Sequence, residues 1–204
     1  MDLRIPLAAF GLGVALGASP GPVQLLLFSE ASRGGAGRGL RAMAGANGTF
    51  GLMLLLLAAG LSSLEPGPTF LRVMKVIGGG FLVFLAADAF RESRRSETTV
   101  VPRPGMDPAL RGVIAVVVNP GVYLFLASTG TAVVASAAEA GGRSLAFVTV
   151  LALLLGVSTL DLGMVLLGAG AHRVSDRFLR ILGDVLAIAL GGLGVWLIVQ
   201  GLLG

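Results

Sequence analysis

Two Pro-Gly steps stand inside otherwise apolar stretches: Ser19-Pro20-Gly21-Pro22 and, one hundred residues later, Asn119-Pro120-Gly121. Proline removes an amide donor and clashes with the preceding turn. The residue before it is pushed out of helical geometry. Ser19 and Asn119 hold those positions, and both side chains suit the cap of a new helix. Gly21 and Gly121 let the backbone turn or a ligand approach closely. Each step therefore predicts a helix that stops and restarts, near Pro22 and near Val122. A restarted helix presents unpaired amides and the positive end of a dipole, and such ends take carboxylates. The competing reading is a pair of kinks that serve packing alone.

Asp161 lies deep in an apolar run. A carboxylate there is costly unless paired, hydrated or protonated, and such residues mark ion and proton pathways. Such a carboxylate could take up a proton on one side and release it on the other. A structural hydrogen bond to a serine or asparagine nearby is the alternative. Asp184, one turn into the last apolar run, is a second proton-coupling candidate, with Arg180 as an available partner. Asp88 and Arg91 read as a surface pair. Lys75 either snorkels to an interface or faces Asp161 or a bound carboxylate. Asn47, among small residues, suggests first an interhelical hydrogen bond and second a contact to a substrate amino group. Gln24 and Tyr123 follow the two breaks and face either a cavity or a neighbouring helix. No catalytic residue is assigned, because Ser19 has no base near it in sequence. A single histidine, His172, and no cysteine argue against a metal site. No P-loop is present, no cofactor is expected, and the chain does not read as an enzyme.

The elements that must position these groups are membrane helices. Of 204 residues 55% are hydrophobic and 13% charged, with a mean hydropathy of +0.91, which excludes an ordinary soluble domain and a disordered chain. A span needs about 20 apolar residues, and 7–29, 42–64, 68–90, 112–138, 144–171 and 185–204 qualify. The first keeps its break and lacks a cleavage-like site, so it is not read as a signal peptide. The 32 glycines suit close helix packing in lipid. Residues 91–111 are polar and proline-rich, which divides the chain into a repeat over 1–93, a cytoplasmic linker over 94–110 and a second repeat over 111–204. Phe70-Leu71-Arg72 recurs as Phe178-Leu179-Arg180, and the eight-residue drift from the Pro-Gly offset is assigned to loops. Three spans is an odd number, so two consecutive copies insert in opposite senses. The expected fold is all-α and integral to the membrane: six transmembrane helices as two inverted three-helix repeats, with helices one and four broken. The site is expected at the repeat interface near the midplane. Eleven basic residues follow spans one, three and five against four on the other side, which puts those loops in the cytoplasm and both termini outside. The net charge of +4 thus reflects topology and no nucleic-acid partner.

Ser19-Pro20-Gly21-Pro22, followed by Ser29, Gly34-Gly35, Gly39 and Gly45, resembles the first repeat of the LysE-type amino-acid exporter family, the lysine-exporter and threonine-efflux translocators. Lys75, Gly78, Phe81-Leu82 and Arg91 look like its third span, and Asn119-Pro120 is similar to the Asn-Pro that opens its second half. The resemblance covers essentially the whole chain. It implies a small secondary exporter of a bacterial cytoplasmic membrane, moving an amino acid or related zwitterion against protons. Three positions depart from the family pattern: Val23 stands where asparagine is frequent, Thr49 where glycine is expected, and Phe50 in place of an acidic residue. The implied partners are an amino-acid-like small molecule, protons and the lipid bilayer, and a homodimer stays open. Rival readings are an inorganic ion or lipid precursor as cargo on the same fold, or a non-transporting assembly component.

Overall fold

The structure is a computed structural model that describes residues 3–18, 21–60, 68–93, 106–170 and 176–203. Ser19, Pro20, His172 and residues 94–105 of the linker lie outside it, as do the side chains of Asp88, Arg91 and Phe178 to Arg180. The described chain is helical, with no strand: α1 (Arg4–Ala18), α2 (Pro22–Ala58), α3 (Pro68–Ser93), α4 (Pro108–Val117), α5 (Pro120–Phe125), a π-helical turn (Leu126–Gly130), α6 (Thr131–Gly170) and α7 (Asp176–Leu203). Proline stands at the first position of α2, α4 and α5, where its missing amide costs nothing and its φ is already helical. Asp107 caps α4, accepting from the Ala109 amide at 2.8 Å.

Two of these helices reverse direction at paired glycines. Gly34 (φ −136°, ψ 21°) and Gly35 (φ 74°, ψ −177°) interrupt α2. Gly141 (φ −159°, ψ 24°) and Gly142 (φ 68°, ψ −168°) interrupt α6. The conformation of Gly35 and Gly142 is open in practice to glycine alone. Past the first turn the chain folds back on itself: a Cβ on Gly39 would lie 2.7 Å from the Cβ of Ala31. In a straight helix those residues stand about 12 Å apart. The limbs 22–33 and 36–58 therefore form a hairpin, and the matching dihedrals turn 120–140 back into 143–170. The limb after the second break, 120–140, is about two turns longer than 22–33 and includes the π-helical turn. The drift between the halves is thus taken up inside helices, which corrects its assignment to loops. Restarting at Pro120, α5 also begins two residues before the expected Val122.

Close crossings hold the limbs together. A Cβ on Gly13 would overlap the Leu153 carbonyl, and one on Gly156 the Phe10 carbonyl, so α1 crosses 143–170 at those two glycines. Gly45 and Gly112 meet in the same way, through the Ala109 and Ala42 carbonyls, where α4 crosses 36–58. The limbs 36–58 and 143–170 run antiparallel between these crossings: Gly39 meets Val165, Asn47 meets Ser158 and Gly51 meets Leu154. The pair α3 and α7 is also antiparallel, with Gly79 and Gly194 each against the other's backbone and Gly201 against Arg72. The glycines of the third and last spans therefore pack within the chain, while Gly80 and Gly192 face open space. Small residues allow this approach, which suits helix association in lipid. Leu155, Leu166, Leu167, Ile188 and Leu203 are more than half exposed. By length and composition, Pro22–Ala58 and Pro120–Gly170 are apolar enough to cross a membrane.

Candidate functional site

The first break opens beside Asp161. The last turn of α1 packs on Val157 and Leu160, where a Cβ on Gly17 would lie 2.9 Å from the Leu160 Cβ. The chain then re-enters a helix at Pro22 through Gly21, whose backbone is extended (φ −145°, ψ −178°). The first helical bond is Leu25 N–H to the Gly21 carbonyl, at 3.1 Å. Pro22 has no amide, and the amides of Val23 and Gln24 fall in the first turn, which has no helical acceptors. Gly21 has no side chain to cap them. From that first turn, the Gln24 side-chain amide donates through Nε2 to Asp161 Oδ1 at 3.4 Å. Helix start and carboxylate are thus within one side chain's length.

Asp161 is completely buried, and its Oδ2 has no hydrogen-bond partner among the described residues. Asn47 adjoins the carboxylate from the facing limb and donates through Nδ2 to Ser158 Oγ at 3.0 Å. Ser158 and Asp161 are three residues apart and share a helix face. The interhelical bond expected of Asn47 is therefore present, and Gln24, Asn47, Ser158 and Asp161 form one polar cluster midway along the antiparallel limbs. Ser158 was not singled out in the sequence. Ser158 one turn before Asp161, the only charge in 144–170, would have signalled it.

The second break is organised differently. Asn119 is extended (φ −86°, ψ 109°) and caps α5, its Oδ1 accepting from the Gly121 amide at 2.9 Å. The Val122 amide bonds to the Asn119 carbonyl at 3.1 Å. Tyr123 Oη reaches back across the break to the Val117 carbonyl at 2.7 Å, closing the last turn of α4. On the other side, a Cβ on Gly78 of α3 would overlap the Val118 carbonyl. Asn119 and Gly121 thus satisfy each other at the restart, and Tyr123 satisfies the end of α4. The helix crossings place this break roughly 10 Å along the limbs from the level of Asp161. The other candidates are scattered. Asp184 Oδ1 is buried without a partner among the described residues, on α7, which packs mainly on α3. Lys75 lies against Gly201 of α7. Thr49 bonds its own helix at the Gly45 carbonyl, at 2.8 Å, and Phe50 meets Phe125 at a ring separation of 6.0 Å.

A buried ionic cluster that the sequence reading passed over joins the two halves. Glu30, 1% exposed, pairs with Arg38 Nε at 2.6 Å and with Arg111 Nη1 at 3.0 Å. Arg111 is itself buried and donates through Nε to the Met106 carbonyl at 3.2 Å. Arg38 and Arg111 count in the sequence only as loop charges. The Gly34-Gly35 turn between Glu30 and Arg38 is the signal that would have paired them. Elsewhere, a crevice of about 510 Å³ lies between α1 and the stretch around the π-helical turn, lined by Arg4, Ala8, Leu12, Thr129, Val133 and Ser136.

Among the described residues the chain is all-helical, with interrupted helices, glycine crossings and a polar cluster buried among apolar limbs. The family model described as LysE type translocator matches residues 14–201. The chain belongs to that family, and is a membrane translocator accordingly. No curated protein and no solved structure matches it.

Proposed function

We propose that the protein is a secondary active exporter of an amino acid or related small zwitterion, driven by proton influx across a bacterial cytoplasmic membrane. The observation that carries this reading is the pairing at the first break: a helix start that Gly21 does not cap, beside the buried Asp161, whose Oδ2 has no partner among the described residues. A substrate carboxylate accepts from the first-turn amides, aided by the helix dipole. Asp161 carries the coupling proton, because a carboxylate this deep is stable only when neutralised or paired. Gln24 and Asn47 hold it in place, and Asp184 is the second candidate for proton transfer. The self-capped second break (Asn119, Pro120, Gly121, Tyr123) serves as the matching joint of the other half. Paired glycine turns, glycine crossings and antiparallel α3 and α7 support two inverted repeats that rock about this centre, with six spans and both termini extracytoplasmic. The crevice beside Arg4 then lies on the exit side.

Proteoliposomes loaded with the twenty proteinogenic amino acids and given an acidic exterior test the proposal. At least one amino acid is expected to leave faster with the gradient than without it, and Asp161→Asn is expected to abolish the acceleration. Efflux no faster than from protein-free liposomes, for every amino acid, would overturn it. Movement of an inorganic ion or lipid precursor instead would reassign the cargo on the same fold.

A further inference from the structure

We infer that Asp161 is also the counter-ion of the substrate's ammonium group, so that substrate and proton compete for one carboxylate. The inference rests on the amino-acid reading of the site. It goes beyond that reading because it denies a proton path separate from the substrate.

The charges of an α-amino acid are one carbon apart, so a site for one fixes the place of the other. With the carboxylate on the Val23 and Gln24 amides, the ammonium falls within reach of the residues that the Gln24 side chain touches. Gln24 Nε2 meets Asp161 Oδ1. An ammonium is a three-fold donor with no acceptor capacity. It needs acceptors, and Asp161 Oδ2 is a buried acceptor with no donor among the described residues. Ser158 Oγ and the Asn47 amide, held against each other at 3.0 Å, stand on the same side with further oxygen atoms. A buried carboxylate demands a compensating positive charge or a proton. The side chains that meet it, Gln24 and Asn47 from α2, are neutral, and Ser158 on its own helix does not titrate. Of the charged groups along the packed limbs, Arg41 is exposed on the surface of its limb, while Glu30 and Arg38 lie beyond the Gly39–Val165 contact, where Glu30 pairs with Arg38 and with Arg111. Neutralisation of Asp161 therefore comes from a proton or from the substrate. Occupancy by one excludes the other, and strict exchange follows without a second titrating residue. The carboxylate also selects cargo: a hydroxy acid, with the same carboxylate and no amine, leaves Asp161 uncompensated.

Purified full-length protein, in weakly buffered detergent solution with a pH indicator, tests this with the amino acid that the liposome assay identifies and its hydroxy-acid analogue. Binding of the amino acid is expected to release about one proton below the titration range of the site, and its affinity to weaken about tenfold per pH unit there. The hydroxy acid is expected to release none and to bind about 10- to 100-fold more weakly. Asp161→Asn is expected to lose amino-acid binding by a similar factor. Asp161→Glu, which keeps the carboxylate, is expected to restore proton release, which a purely structural aspartate would not require. If Asp161→Asn still binds and exchanges the amino acid at the wild-type affinity, losing only its acceleration by the gradient, the shared-carboxylate proposal is overturned while amino-acid export stands. Absence of transport of any amino acid by the wild type removes export itself, a separate result.

Discussion

The two breaks carry the same Pro-Gly step, yet their helix ends are satisfied by different means. At the second, Asn119 spends its side chain on the Gly121 amide and Tyr123 its hydroxyl on the Val117 carbonyl. At the first, Gly21 offers no side chain to cap the first-turn amides of Val23 and Gln24, and the Gln24 side chain is spent on Asp161. Tyr123→Phe should therefore act on stability rather than on substrate affinity. Loss of one hydrogen bond costs about 1 kcal/mol, and Asn119→Ala about the same through the cap. Both are read as a lower unfolding temperature in detergent with an unchanged KM for export, and a several-fold rise in KM for Tyr123→Phe would place its hydroxyl in the substrate site. This division was only half legible in the sequence. Proline and glycine announce a break through backbone sterics that hold anywhere. Whether a polar neighbour caps the break or faces a cavity depends on which helix lies across from it. Gln24 finds its partner 137 positions away, a distance that no local pattern encodes.

Among the elements, packing rests on where a side chain is missing. Gly45 and Gly48 sit one turn apart on the same limb, and residue type does not distinguish them. A Cβ on Gly45 would overlap the Ala109 carbonyl of α4, whereas one on Gly48 meets nothing within 4 Å. Gly45→Ala must push α4 off its crossing and is expected to lower the unfolding temperature sharply. Gly48→Ala is expected to be neutral or slightly stabilising, since alanine is the better helix former by about 1 kcal/mol. Equal thermal shifts for the two variants would count against the crossing. Helix content and the broken spans follow from hydropathy and proline, which are local. The turns at Gly34-Gly35 and Gly141-Gly142 are also written locally, but a Gly-Gly pair in a glycine-rich chain does not stand out until its φ is known. The extra length of 120–140 over 22–33 was invisible for another reason. It is carried by ordinary helical residues and a π-helical turn that interrupts no pattern.

At the scale of the molecule, the centre holds one open carboxylate while a second, Glu30, is fully compensated where the halves meet. Glu30 comes from the first hairpin and Arg111 from the start of α4, with Arg38 closing the cluster from the far side of the Gly34-Gly35 turn. Glu30 meets both guanidinium groups, so its loss disturbs two ion pairs where the loss of either arginine disturbs one of them. Glu30→Gln breaks both ion pairs at once, and breaking a buried pair by removing one partner costs about 3–5 kcal/mol. Replacing both partners by apolar residues of similar size is often neutral. The double variant Glu30→Met with Arg111→Leu should therefore recover most of the loss seen in Glu30→Gln. The measurement is a set of unfolding temperatures for wild type, Glu30→Gln and the double variant, with efflux assayed on those that fold. Recovered stability with unchanged coupled efflux identifies the cluster as a fastener of the two halves. Recovered stability with efflux that no longer depends on the proton gradient would mean that the fastener must open and close in each cycle. A double variant no more stable than Glu30→Gln would show that Arg38 alone governs the charge, and that the bond between the halves contributes little.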